Sequence, residues 1–356
     1  MLSINPICDI KIGHRNWEEA LATGFSLLVS VPPGEVVCIT GPSRAGKTRL
    51  VLELVRLLVG EGSSSEAGLM PILVVEAIND GPHGAFSTKS FILRMLDALR
   101  HPIYCSNSES MEAAIEQSKA HQATEAVLRR ALEQALRARG VKYLFIDEAQ
   151  HARFVSKDAM GAYAVMDSWK CLAQSVGLVL VIVGAYPILQ IIRNSPHLVG
   201  RKHQVHLPRY RFERSDLTEF AAILAAYQSR LDLCPSVGDL VQHVLYFHDG
   251  TAGCIGLLRA WLLRAQAMAT ALGNRLSISS FERSRLSDDD LLAIEREIRE
   301  GELLLNSKSK DDKPRREEGH NEKPPRVSRM PKPFQKKPIR RKPGHRTDEG
   351  GPLTDG

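Results

Sequence analysis

Up to residue 207, short apolar runs alternate with longer amphipathic stretches. Residues 17–28 have the spacing of an amphipathic helix, closed by Pro32-Pro33-Gly34. Residues 35–40 form a compact β-rich run that predicts a buried strand, and residues 49–58 predict the helix that follows it. A polar linker at 60–68 leads to a second strand at 71–77. Helices are predicted at 87–100 and across 110–140, the latter as one long helix or a helical pair. A strand at 143–147, a helix near 158–175, a strand at 178–183, a helix near 187–194 and a strand at 203–207 complete the series. Strands alternating with helices imply a parallel sheet covered on both faces.

Beyond Pro208 the pattern changes. Residues 217–230, 237–246, 253–272 and 278–285 all read as helices, with no strand between them and no internal repeat. The expected fold class is therefore α/β, with an N-terminal helical segment (1–34), an α/β core (35–210), a small all-helical lid (211–306) and a tail (307–356). At 356 residues the chain can bury a full core. Six cysteines are scattered without a C-x-x-C pair, which argues against a zinc site or disulfide framework and suits a reducing cytoplasm. No secretory leader pattern appears, and the longest apolar run, 176–185, has the length of a core strand and not of a membrane span.

Charge separates the tail from the rest. Residues 307–356 carry 15 Lys/Arg against 8 Asp/Glu, whereas residues 1–306 sum to −1. Between Lys323 and Arg346 there are ten basic residues, six prolines and no acid. Such a segment has too few apolar residues to fold and reads as disordered. It suits contact with nucleic acid or an acidic partner.

The chemistry starts at the end of the first predicted strand. Gly41, Pro42, Ser43, Arg44, Ala45, Gly46, Lys47 and Thr48 spell a complete G-x-x-x-x-G-K-[ST] loop between a strand and a helix. The glycines let the backbone turn its N–H groups toward phosphate oxygens, and the helix N-terminus adds positive charge there. Lys47 is expected at the β- and γ-phosphates of ATP, and the Thr48 hydroxyl on Mg²⁺. About a hundred residues later, a second apolar strand ends in Asp147-Glu148. Asp147 is the expected partner of the Mg²⁺, and Glu148 the base that polarises a water for attack on the γ-phosphate. Small-molecule P-loop kinases usually lack this Asp-Glu ending, so the pair favours a mechanochemical or switch ATPase.

A nucleotide core followed by a helical lid resembles the AAA+ arrangement. That resemblance implies an arginine just before the fifth strand reaching the neighbouring subunit's nucleotide. Arg201 holds that place, with Arg193 second. It also implies a lid arginine on the nucleotide: Arg259, with Arg264 second. A polar sensor is usual after the fourth strand, where this chain has Gly184-Ala185-Tyr186, so slow hydrolysis or a displaced sensor is expected.

Finer features narrow the resemblance. They are His14-x-x-Trp17-Glu-Glu-Ala-Leu, Val75-Glu76-Ala77 with Thr88-Lys89 and Leu96-x-x-Leu99, Asp147-Glu148-Ala149-Gln150-His151, and Trp169-Lys-Cys-Leu-Ala173. Further along come Arg201 with Leu207-Pro208, then Phe220, Leu231-Asp-Leu233, Ser236 and Gly253-x-x-Gly256. Over roughly residues 10–290 the chain is similar to the TnsC/TniB family of AAA+ transposition regulators. The resemblance implies ATP-dependent assembly of a homo-oligomer, ring or helical filament, on double-stranded DNA. It also implies recruitment of a transposase and target-selector proteins, with no membrane partner. DNA contact would be to the backbone, and Lys89, Arg94 and Lys119 are pore-facing candidates. Two readings compete: a helicase-loader or initiator-type ATPase, although the lid lacks a separate helix-turn-helix, and a signalling NTPase whose tail binds protein.

Overall fold

The computed structural model describes residues 12–60, 68–104, 122–155, 159–193 and 202–306. Five strands form one parallel sheet: β1 (Val36–Gly41), β2 (Ile72–Glu76), β3 (Tyr143–Asp147), β4 (Val179–Ala185) and β5 (Lys202–His206). Their order is β2-β3-β4-β1-β5. The central strands β1 and β4 are buried at every position, whereas edge strand β2 alternates. This is the pattern of a parallel sheet covered on both faces. Because side chains alternate along a strand, Val36, Cys38, Leu144, Ile146, Leu180 and Ile182 point into one core. Val37, Ile39, Phe145, Val179, Val181 and Val183 point into the other.

Helices α1 (Arg15–Ser30) and α2 (Lys47–Val59) cover the second face with Ala20, Leu28, Leu50 and Leu54. Helices α3 (Thr88–Ala98), α4 (Glu125–Ala138) and α5 (Ala159–Val176) cover the first with Met95, Leu132 and Trp169 among others. A short helix, α6 (Ile188–Arg193), follows β4. The register sets Gly41 beside Ala185 and Ile146 beside Ile182, so the carboxyl ends of β1, β3 and β4 lie along one edge. Open parallel sheets bind their ligands outside that edge.

After β5 come α7 (Arg214–Gln228), α8 (Val244–Asp249), α9 (Ile255–Ala271) and α10 (Ile278–Ser284), packed around Trp261. The Trp261 indole donates to the Phe281 carbonyl at 2.9 Å and stands 5.0 Å, centroid to centroid, from Phe247. A last helix, α11 (Asp288–Asn306), runs back onto α6. No helix among the described residues is long and apolar enough to cross a membrane.

Two segments differ from the sequence expectation. The helix predicted at 237–246 is broken: Gly238 (φ +67) interrupts it, and Asp239 starts a new turn by accepting from the Val241 N–H at 3.0 Å. A glycine in the left-handed region followed by a capping Asp favours a turn over a continuous helix. Within the expected all-helical segment 211–306, α11 is a helix that the sequence expectation did not single out. Ser287 caps it through the Asp290 N–H at 3.2 Å, and three aspartates fill its first turn, where the helix dipole favours them. The expected stretch 110–121 and the basic tail 307–356 lie outside the described residues.

Candidate active site

β1 runs directly into the loop 42–46, and α2 starts at Lys47. Two residues take left-handed backbone, Arg44 (φ +59) and Gly46 (φ +102), and wind the loop back over the start of α2. The Lys47 side chain folds under the loop, where its ammonium donates to the carbonyls of Pro42 (2.8 Å) and Gly41 (3.2 Å). Burial holds the Lys47 pKa below the ordinary lysine range, against the opposing pull of Glu148, Glu297 and Asp147.

At the neighbouring strand end, Asp147 Oδ2 accepts from the Thr48 hydroxyl at 2.9 Å, and Oδ1 from the Glu148 N–H at 2.8 Å. Glu148 itself is left-handed (φ +53). That conformation costs a non-glycine residue roughly 1–3 kcal/mol and is concentrated at functional sites. The paired oxygens of Thr48 and Asp147 are hard donors of the kind Mg²⁺ takes. Among the described residues, no group of three or more His, Cys, Asp or Glu is arranged to hold a metal. An ion held by Thr48 and Asp147 would therefore complete its shell with phosphate and water, as Mg²⁺ usually does.

A cavity of about 770 Å³ opens over these residues. Residues 43–48 and Glu148 line it, together with the apolar and aromatic residues Ile12, Trp17, Tyr227 and Ile255. The helical C-terminal part reaches the loop at Gly256. A side chain at Gly256 would fall onto the Arg44 carbonyl oxygen, so glycine lets the first turn of α9 rest directly on the loop backbone. One turn further along, Arg259 enters the cavity wall.

The loop, the Asp-Glu strand end and the covered sheet coincide with a sequence match. Residues 33–192 match the AAA domain family. This AAA region takes in β1 to β4, the loop and Asp147-Glu148; its parallel sheet has the AAA+ P-loop fold, and a helical C-terminal part follows it. Similar solved structures include the Walker-type ATPase of Pyrococcus abyssi, 14% identical, with a TM-score of 0.49 over 84% of this chain and 79% of that one. The Aeropyrum pernix ORC2 protein in its ADP form is 18% identical, with a TM-score of 0.47 over 78% and 71%. Cdc6p of Pyrobaculum aerophilum is 12% identical, with a TM-score of 0.48 over 81% and 73%. At these identities the likeness says nothing about shared substrates or partners. No curated protein sequence matches the chain significantly.

Of the candidates read from sequence, Ser43, Arg44, Ala45, Gly46, Lys47, Thr48, Glu148 and Arg259 line the AAA-region cavity. Gly41 and Pro42 hold Lys47, and Asp147 holds Thr48. Arg193 and Arg264 are not in the cavity wall. Arg201 and Lys119 lie outside the described residues. Arg94 pairs with Asp80 at 2.8 Å. Ala185 lines the cavity without a polar group, and the Tyr186 hydroxyl meets His206 Nε2 at 2.9 Å, under α11.

Sequence reasoning missed Glu297. From α11 its carboxylate accepts from the Ser43 N–H at 3.2 Å and from the Ser43 hydroxyl at 3.0 and 2.9 Å. Ile298, packed with Tyr186 and Leu257, and the Glu302–Arg209 ion pair at 3.0 Å hold the helix there. The signal was present in the Ser287 cap and in the helical spacing of Leu291, Ile294 and Ile298. A carboxylate on the loop opposes an anionic ligand. Glu297→Gln keeps an acceptor for Ser43 and removes the charge, and is expected to tighten ATP binding. A like charge at a half-exposed site is worth about 1 kcal/mol, or roughly fivefold. Titration with a fluorescent ATP analogue checks this, and unchanged affinity would remove Glu297 from the site's electrostatics.

Proposed function

We propose that this chain is an ATP-hydrolysing switch that assembles on double-stranded DNA and regulates transposition in the cytoplasm, by recruiting or activating a transposase. The observation that carries the ATPase reading is the convergence of Lys47, Thr48 and Glu148 from two distant stretches of sequence on one cavity, with Asp147 hydrogen-bonded to Thr48 behind it. The aromatic residues Trp17 and Tyr227 in its wall suit a flat base, and the loop suits a phosphate cradle.

Triphosphate binding would draw the Lys47 ammonium from the Gly41 and Pro42 carbonyls onto the β- and γ-phosphates. Thr48 and Asp147 would hold Mg²⁺, which neutralises phosphate charge when bound. Glu148 takes the proton of the attacking water, and Arg259 joins the triphosphate from the lid. Arg201 is assigned as the residue reaching a neighbouring subunit's nucleotide from its place before β5. The transposition role rests on the TnsC/TniB resemblance in the sequence.

A second reading, a signalling NTPase indifferent to DNA, is favoured by the net charge of −1 over residues 1–306. Anisotropy of a labelled random-sequence duplex, titrated with protein in ATP, ADP, a slowly hydrolysed analogue and no nucleotide, separates the two. It should be run at two salt concentrations, with and without residues 307–356. The expected result is cooperative binding only with the triphosphate, surviving tail removal. Nucleotide-independent binding that disappears with the tail would reduce DNA affinity to simple electrostatics and put the signalling reading first.

A further inference from the structure

The carboxyl end of β4 faces the cavity through Ala185, which has no polar side chain. Gln150 brings an amide to that end from elsewhere in the chain. It lies in the 3₁₀ turn Ala149–Phe154, two residues beyond Glu148, and its amide is engaged at both ends. Oε1 accepts from the Ala185 N–H at 3.1 Å, and Nε2 donates to Glu148 Oε2. Gly184 makes room for this, since a Cβ there would lie 2.6 Å from Gln150 Oε1. The turn is held in register by the His151 N–H on the Glu148 carbonyl at 3.0 Å.

We propose that Gln150 is the positioning residue for Glu148: it fixes the orientation of the carboxylate and ties it to the end of β4. The proposal rests on the reading of Glu148 as the base in ATP hydrolysis. A glutamate side chain turns freely about its terminal bonds, and a base must sit within hydrogen-bond reach of its water along a defined line. The Gln150 amide occupies Oε2 and leaves Oε1 to accept from the water. Being a neutral donor, it orients the carboxylate without taking the proton. The far end of the amide is held by a backbone N–H and not by another mobile side chain, so the base inherits the rigidity of the sheet. A link between β4 and the hydrolytic machinery is thereby built from the turn after β3, which accounts for an apolar residue at position 185.

The test is single-turnover hydrolysis of MgATP by the full chain and by Gln150→Met, Gln150→Glu, Glu148→Gln and the Glu148→Gln/Gln150→Met double variant. ATP affinity and thermal unfolding are measured in parallel. Gln150→Met keeps length and shape but removes donor and acceptor. It is expected to slow hydrolysis on the order of 10- to 100-fold, the scale of a misplaced catalytic group, with ATP affinity and melting temperature unchanged. Gln150→Glu keeps the acceptor for Ala185 but sets a second carboxylate against Glu148, and should fall at least as far. In the Glu148→Gln background, adding Gln150→Met should cost nothing more, because the residue acts through Glu148. Wild-type rates in Gln150→Met beside an inactive Glu148→Gln would overturn the proposal while leaving the base assignment intact. An equal loss in both backgrounds, or weaker ATP binding in step with the rate, would assign Gln150 a structural role instead. If Glu148→Gln hydrolyses like wild type, the base assignment falls and this proposal falls with it.

Discussion

Lys47→Ala is expected to abolish nucleotide-dependent assembly, because it removes the one loop cation that the fold buries beneath the phosphate cradle. Lys47 is 7% exposed and held by two backbone carbonyls. In the absence of nucleotide those two bonds offset the cost of burying the ammonium, which pulls its pKa down. In the proposed ATP-bound state the ammonium would exchange these carbonyls for anionic phosphate oxygens, and hydrogen bonds to charged groups are worth about 1.5–3 kcal/mol each. Losing even one of these weakens ATP binding on the order of 10- to 100-fold. The Gly41 and Pro42 carbonyls also lose the ammonium, although Pro42 keeps the Ala45 N–H at 3.2 Å, so the empty loop is expected to loosen. Equilibrium binding of a fluorescent ATP analogue, together with light scattering in ATP, measures both effects. Retention of ATP-dependent assembly in Lys47→Ala would show that the oligomer does not need an occupied site.

Glu148→Gln is expected to have the opposite outcome for assembly. The amide keeps the shape and the left-handed turn but cannot take a proton, so hydrolysis should fall by about 10²- to 10⁴-fold. ATP affinity should change little, because Lys47, Thr48 and the loop N–H groups remain. Assemblies that form with ATP should then persist, seen as large particles that no longer decay as ATP is consumed. If Glu148→Gln bound ATP normally yet never accumulated assemblies, the switch role assigned to hydrolysis would be wrong. Undiminished phosphate release would instead move the base elsewhere in the cavity.

The elements that were legible share a property: their determinants lie close together in sequence. The loop from Gly41 to Thr48 is eight consecutive residues between an apolar strand and a helix, and its backbone geometry follows from the two glycines and that context. β3 and β4 are short runs of apolar residues whose only stable home is a covered sheet. The break at Gly238 has a local signal as well, a glycine followed by a capping Asp239. Helix α11 likewise carries its own cap at Ser287 and a periodic face of Leu291, Ile294 and Ile298.

The sequence by itself therefore determined the class of fold, the phosphate loop and the Asp-Glu strand end, because each is specified by residues within a few turns or one strand of each other. The tertiary structure alone decided which distant groups meet. Ser43 and Glu297 are 254 residues apart, and Gln150 and Ala185 are 35 apart. Gly256 meets the Arg44 backbone across more than two hundred residues of chain, on a helix anchored in its own core by Trp261. Local sequence fixes backbone conformation and which face is apolar. The distance between two side chains on different elements is set by how every buried residue between them packs, and dense packing allows one such arrangement.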